Sequence, residues 1–118
     1  MSEDYFSEAI AFCDAFEDMA SRVNATAREK GWWKNDRNEG ELIALMHSEL
    51  SEALEALRHG NPPDDKIPEF SGVEAELADV IIRIMDASHA KGWRVAEAIV
   101  KKVIFNQGRP YMHGGKRF

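Results

Sequence analysis

Apolar residues recur at three- and four-residue steps through most of this chain, and each run is closed by glycine or proline; this punctuated helical period constrains the fold more than any other feature. The first run, Phe6, Ile10, Cys13, Phe16, Ala20, Val23 and Ala27, predicts a helix over about 4–30, with Glu3 and Asp4 favouring its start and Gly31 its stop. Phe12 and Met19 widen that stripe, so the helix should meet more than one neighbour. Asn38 and Glu41 make a capping-box pattern ahead of Leu42, Ile43, Leu45 and Met46, predicting a second helix over 39–59 that Gly60 and Pro62-Pro63 end. Ser71 and Glu74 repeat the pattern for a third helix over 72–91, stopped by Gly92. A fourth, over 94–107, carries Val95, Ala96, Ile99, Val103 and Ile104 on its apolar side, with Gly108 beyond it. No alternation is strong enough for a sheet, so the expected fold is all-α, a bundle of about four helices.

A chain of 118 residues suffices for one domain, 1–118, and not for two. No apolar run is long enough to cross a bilayer, and the opening MSEDYFSE is acidic where a signal peptide is basic, so a cytoplasmic protein without a membrane partner is expected. Cys13 is the lone cysteine, which excludes an intrachain disulfide framework and a cysteine-based zinc site. A net charge of -6 argues against binding long nucleic acid, whose backbone attracts basic surfaces. A single nucleotide carried with a divalent cation meets no such objection.

The chemistry-bearing pattern is a pair of acidic pairs, Glu49/Glu52 and Glu76/Asp79, each at i, i+3 and so one turn apart on a helix face. On a wheel of about 100° per residue, Leu42, Met46, Leu50, Ala53 and Leu57 form the buried stripe of the second helix, with Glu49 on its border and Glu52 one step further round. The third helix repeats this with Leu77, Val80, Ile81, Ile84 and Ser88, bordered by Glu76 and then Asp79. A solvated face would interleave opposite charges at i, i+4, yet only Asp79 finds such a partner, Arg83. Packed side by side, the helices would gather four carboxylates that repel one another unless protons or hard cations neutralise them, which points to Mg2+. Asp86, seven residues beyond Asp79, returns to nearly the same direction and reads as a fifth ligand or a group behind the ligands.

The opposite sign comes from the last helix and tail. Lys102, Asn106 and Arg109 fall on one stripe, and His113, Lys116 and Arg117 follow in the basic, glycine-bearing segment 108–118; such groups suit phosphate oxygens, or simply compensate a helix C-terminus. In the link WWKNDRN, Trp32 and Trp33 either anchor the turn or offer a ring to a nucleobase. The segment NPPDDKIPEF is either an ordered connection or a flap near the site.

Laid out in order, Ser48-Glu49-Leu50-Ser51-Glu52, then Glu76-Leu77-Ala78-Asp79, then Asn106, Arg109-Pro110 and His113-Gly114-Gly115-Lys116, the chain resembles the MazG-like family of all-α nucleoside triphosphate pyrophosphohydrolases. That family's hallmark is Glu-Glu-x-x-Glu followed after a variable gap by Glu-x-x-Asp, and the similarity extends from about Trp32 to the C-terminus. The resemblance implies a homodimer or homotetramer that cleaves a ribo- or deoxyribonucleoside triphosphate between the α and β phosphates. It implies Mg2+, with Mn2+ as a substitute, on Glu49, Glu52, Glu76 and Asp79, and the triphosphate held by Lys102, Asn106 and Arg109. Glu52 is the expected residue for positioning the attacking water, Trp33 a base contact, and Asp86 and Arg83 supporting groups. Ser48 departs from the pattern, standing where the family has its first Glu, a role for which Asp86 or Glu55 is a substitute. Two rival readings remain: a non-catalytic helical binding or regulatory protein with an acidic interaction face, and a di-iron bundle, for which the chain offers only the imperfect Asp86-Ala87-Ser88-His89.

Overall fold

The computed structural model describes residues 3–111. His113, Lys116 and Arg117, expected near phosphate, lie outside the described residues. Four helices follow in order: α1 Glu3–Glu29, α2 Glu39–Arg58, α3 Gly72–Lys91 and α4 Val95–Gln107. Among the described residues there is no strand, only an isolated bridge between Pro63 and Ser71.

The ends follow local chemistry. Ser71 caps α3 through a reciprocal box, its hydroxyl toward the Glu74 N–H and the Glu74 carboxylate accepting from the Ser71 N–H. At α2 only half of the expected box forms: the Asn38 side chain accepts from the Glu41 N–H at 3.2 Å. Gly92 closes α3 with φ of 74°, a left-handed conformation that favours glycine. The segment 61–70 is an ordered connection. The Asp64 carboxylate accepts the N–H groups of Lys66 and Ile67, the Asp64 N–H donates to Phe70, and Asn61 Oδ1 accepts from the Val73 N–H. Gly72 lets α3 start against α2, since a Cβ there would lie 3.0 Å from the Ala56 Cβ.

Packing is open. The central helix α3 packs on α2 at one side and on α1 at the other, while α4 rests on α1. The buried apolar residues are small, Ala20, Ala53, Ala75, Ala87 and Ala96 with Leu42, and among the described residues no large side chain is fully buried. This corrects the expected stripes: Leu50, Leu57, Leu77 and Ile81 are about half exposed. Each stripe is wider than the contact that one neighbouring helix covers, so Ile43, Leu50, Leu54 and Leu57 continue as an apolar ridge beside the packed face of α2. Phe6 and Ile10, expected in the α1 stripe, are exposed for the same reason.

Candidate metal centre

Matching acidic edges of α2 and α3 meet where those helices pack. One carboxylate oxygen each from Glu49, Glu76 and Asp79 lies within 4.8 Å of the others. Glu49 is buried, Glu76 half-buried and Asp79 exposed, so the cluster grades from the helix contact to solvent. Glu52 stands outside these three at the exposed margin, near enough to act on the acidities of Glu49 and Glu76. Its place follows from the wheel: three residues on from Glu49 it turns about 60° away from the helix contact.

The crowding shows in the acidities. Burial, then hydrogen bonding to Glu49 and Glu52 and the charges of Glu52 and Asp79, push the Glu76 carboxyl up to about 7. Burial and the Glu49 charge raise Asp79, against smaller opposition from Arg83. Burial would raise Glu49 too, but the hydrogen bond and charge of Arg83, with hydrogen bonds from Glu76 and Glu52, outweigh it and the net shift is downward. The two neighbours are thus driven apart, Glu49 toward the ionised form and Glu76 toward the protonated one. Among the described residues, Glu76 Oε2 is buried without a hydrogen-bond partner. A proton shared with a neighbouring carboxylate would satisfy that oxygen, and so would a cation, without the proton. An oxygen-only, anionic, converging donor set of this kind fits a hard divalent cation.

Arg83 reaches across the helices rather than along its own: its Nε donates to Glu49 Oε1 at 2.9 Å. Asp86 is committed elsewhere. Its carboxylate accepts from Asn24 Nδ2 at 2.8 Å and from the Trp33 indole N–H at 2.9 and 3.0 Å, and faces Arg37 Nη1 at 3.8 Å. With every neighbour a donor it serves α1 and the turn after it, so it supplies neither a fifth ligand nor the acid missing at Ser48. Glu55 pairs with Arg58 and His59 on the outside of α2, and the Ser48 hydroxyl donates back to Leu45 O, so neither approaches the cluster.

Glu49 and Asp79 line a cleft of about 440 Å³, which the end of α1 and the following turn also line through Val23, Ala27, Lys30, Trp32 and Arg37. Trp33 is part of the wall's support: its N–H is taken by Asp86, and the guanidinium groups of Arg28 and Arg37 lie 5.6 and 5.0 Å from its ring centre. Trp32 is the ring on the cleft, 62% exposed, with Arg37 at 5.8 Å on it. Lys102, Asn106 and Arg109 are not brought to the acids within one chain. The neighbouring part of α4 packs beside Tyr5, Ala9 and Phe12, whereas the cleft adjoins Val23, Ala27 and Lys30, about 25 Å further along α1.

Sequence reasoning missed Asn24, Lys30 and Arg37. Asn24 had a signal, a polar residue among the apolar positions of α1; the two cations had none, because only the turn geometry aims them at the cleft. Searches of protein-family models, curated proteins and solved structures returned no match to this chain.

Proposed function

We propose that the protein is a Mg2+-dependent nucleotide pyrophosphohydrolase that cleaves a nucleoside triphosphate to the monophosphate and pyrophosphate, as its resemblance to the MazG-like enzymes implies. The observation that carries the reading is the meeting of Glu49, Glu76 and Asp79 within 4.8 Å, with a buried Glu76 oxygen that has no hydrogen-bond partner among the described residues. These three residues would hold the cation, with Glu52 beside them. When bound, Mg2+ (or Mn2+) would neutralise charge that develops on the phosphate oxygens. Glu52, exposed at the margin, has the access to orient a water and accept its proton as that water attacks the phosphorus. Arg83 fixes the Glu49 carboxylate in its ionised state and orientation.

Self-association belongs to the same reading. The ridge of Ile43, Leu50, Leu54 and Leu57 on α2, with Leu77 and Ile81 on α3, supports pairing with a second copy, and lies about 100° round α2 from Glu49, so the acids stay open. Lys102, Asn106 and Arg109 would then contact phosphate from a neighbouring copy.

The test is incubation with Mg2+ and each common ribo- and deoxyribonucleoside triphosphate, resolving monophosphate, diphosphate, pyrophosphate and phosphate. Monophosphate plus pyrophosphate, lost in Glu52→Gln or Asp79→Asn while the fold is retained, is the expected outcome. Full activity in both variants would remove the assignment. No turnover by the wild type would favour the acidic binding surface instead.

A further inference from the structure

Three charged side chains of the cleft wall and cluster carry positive charge, and they differ in whether that charge is already used. Arg83 is held by Glu49, and Arg37 by Asp86 and the two indole rings. Lys30 lines the same cleft, yet its ammonium makes no hydrogen bond or ion pair with the described residues; only its backbone N–H is engaged, donating to Thr26 O. The rings differ in the same way. Trp33 has its N–H bonded and two guanidinium groups over it, whereas Trp32 leaves most of its surface to solvent at the cleft.

Trp32 is nevertheless held in place. Its backbone N–H donates to Ala27 O at 3.0 Å, Gly31 supplies the turn with φ of 89°, and the Lys34 N–H closes onto Gly31 O. The segment is tied to α3 by Trp33 and Arg37 on Asp86 and by Lys91 on Asp36 at 3.1 Å. A large ring fixed in the open exposes apolar surface that a partner molecule would cover.

We propose that Lys30 and Trp32 form the ligand-facing wall of the cleft, the Lys30 ammonium taking a phosphate oxygen and the Trp32 ring stacking on the base of a nucleotide whose phosphates face the acids. This rests on the nucleotide reading of the site and adds to it the residues that bind the two ends of the ligand. An ammonium point charge suits a phosphate oxygen, and a ring stack accepts any base, so this wall gives affinity for nucleotides with little choice among them.

Binding is measured by calorimetry with Mg2+ and three probes that this reaction cannot consume by α–β cleavage of a nucleotide: the α,β-methylene analogues of dCTP and dATP, and inorganic tripolyphosphate, which has no base. Lys30→Gln should weaken the nucleotide analogues and tripolyphosphate alike, by about fivefold or more, with Lys30→Arg restoring most of the loss. Trp32→Ala should weaken the analogues about tenfold or more, leave tripolyphosphate within about twofold, and be largely rescued by Trp32→Phe. Equal binding of the analogues by wild type and Trp32→Ala, equal loss of analogue and tripolyphosphate in Trp32→Ala, or no binding by the wild type overturns the proposal. So does a change in sedimentation for Trp32→Ala without loss of base-dependent affinity, which would make the ring part of a subunit contact. Turnover by the wild type with unaltered binding in both variants rejects this wall and keeps the hydrolase; the expected binding pattern without turnover does the reverse.

Discussion

Replacing Glu76 by Gln should stabilise the metal-free protein at alkaline pH while weakening its response to Mg2+. Glu76 is held near 7 where an ordinary glutamate sits at 4.5. A group whose acidity is weakened by folding binds more protons folded than unfolded between those values, so stability is greatest at the acid end of that window and falls as pH rises through about 7. Asp79, also raised, acts in the same direction, while Glu49 and Glu74, both lowered, act below the ordinary carboxylate range and leave this window alone. Unscreened, the Glu76 difference would amount to about 3 kcal/mol at pH 8; solvent access to a half-buried cluster reduces it to about 1–2 kcal/mol. A Gln at this position keeps the volume and a hydrogen-bond donor for Glu49 without the charge.

The assay is urea unfolding in EDTA at pH 5.5, 7 and 8, repeated with saturating Mg2+. Wild type should lose about 1–2 kcal/mol between pH 5.5 and 8, the variant should be nearly flat, and the two should converge at the acid end. Mg2+ at a hundred times its Kd should return about 2.7 kcal/mol to the wild type, and less to the variant. A wild type that gains stability from pH 5.5 to 8, or a variant weaker than wild type at pH 8 without metal, would refute the account of the cluster.

Metal binding should displace the Glu76 proton, so calorimetry in buffers of differing ionisation enthalpy should find about half a proton released per Mg2+ at pH 7 and almost none at pH 8.5, with affinity falling below neutrality. Asp86→Ala would strip the acceptor from Asn24, Trp33 and Arg37 together; urea unfolding should show a loss of about 3 kcal/mol. Gly72→Ala should lower stability by about 1–2 kcal/mol despite the better helix former, because its Cβ would press on Ala56 and on the backbone of Pro62; thermal melting checks it.

Helices were legible because their determinants are local. Periodicity, Ser71 with Glu74, and Gly92 specify starts and stops within a few residues, and the observed bounds coincide with those expected at four of the eight ends and differ by one residue at the other four. Burial was less legible. A wheel gives the direction of Leu50, Leu57, Leu77 and Ile81 but not the number of helices on that side, and one neighbour covers less than the stripe. The polar stripe of α4 and the residues after it shows the same limit, since alignment of Lys102, Asn106 and Arg109 says nothing of the position of α4 along α1.

Glu76 and Asp86 bring out what separates a candidate ligand from a fastening. Both are acids on α3, both withdrawn from solvent, and the wheel aligns Asp86 with the acidic edge through Asp79. Their difference is in what surrounds them. Asp86 meets only donors, from Asn24 on α1 and from Trp33 and Arg37 in the turn, so its charge is compensated and it ties three segments together. The groups that shift Glu76 are carboxylates, Glu49, Glu52 and Asp79, and its buried Oε2 has no hydrogen-bond partner among the described residues. Spacing on one helix cannot distinguish the two, because the donors come from segments more than 40 positions earlier in the chain. The distinction predicts opposite responses to neutralisation: Asp86→Asn should destabilise at every pH where carboxylates ionise, and Glu76→Gln should stabilise wherever metal is absent and the pH exceeds 7. Equal and parallel responses of the two variants would mean that both carboxylates serve the fold alone.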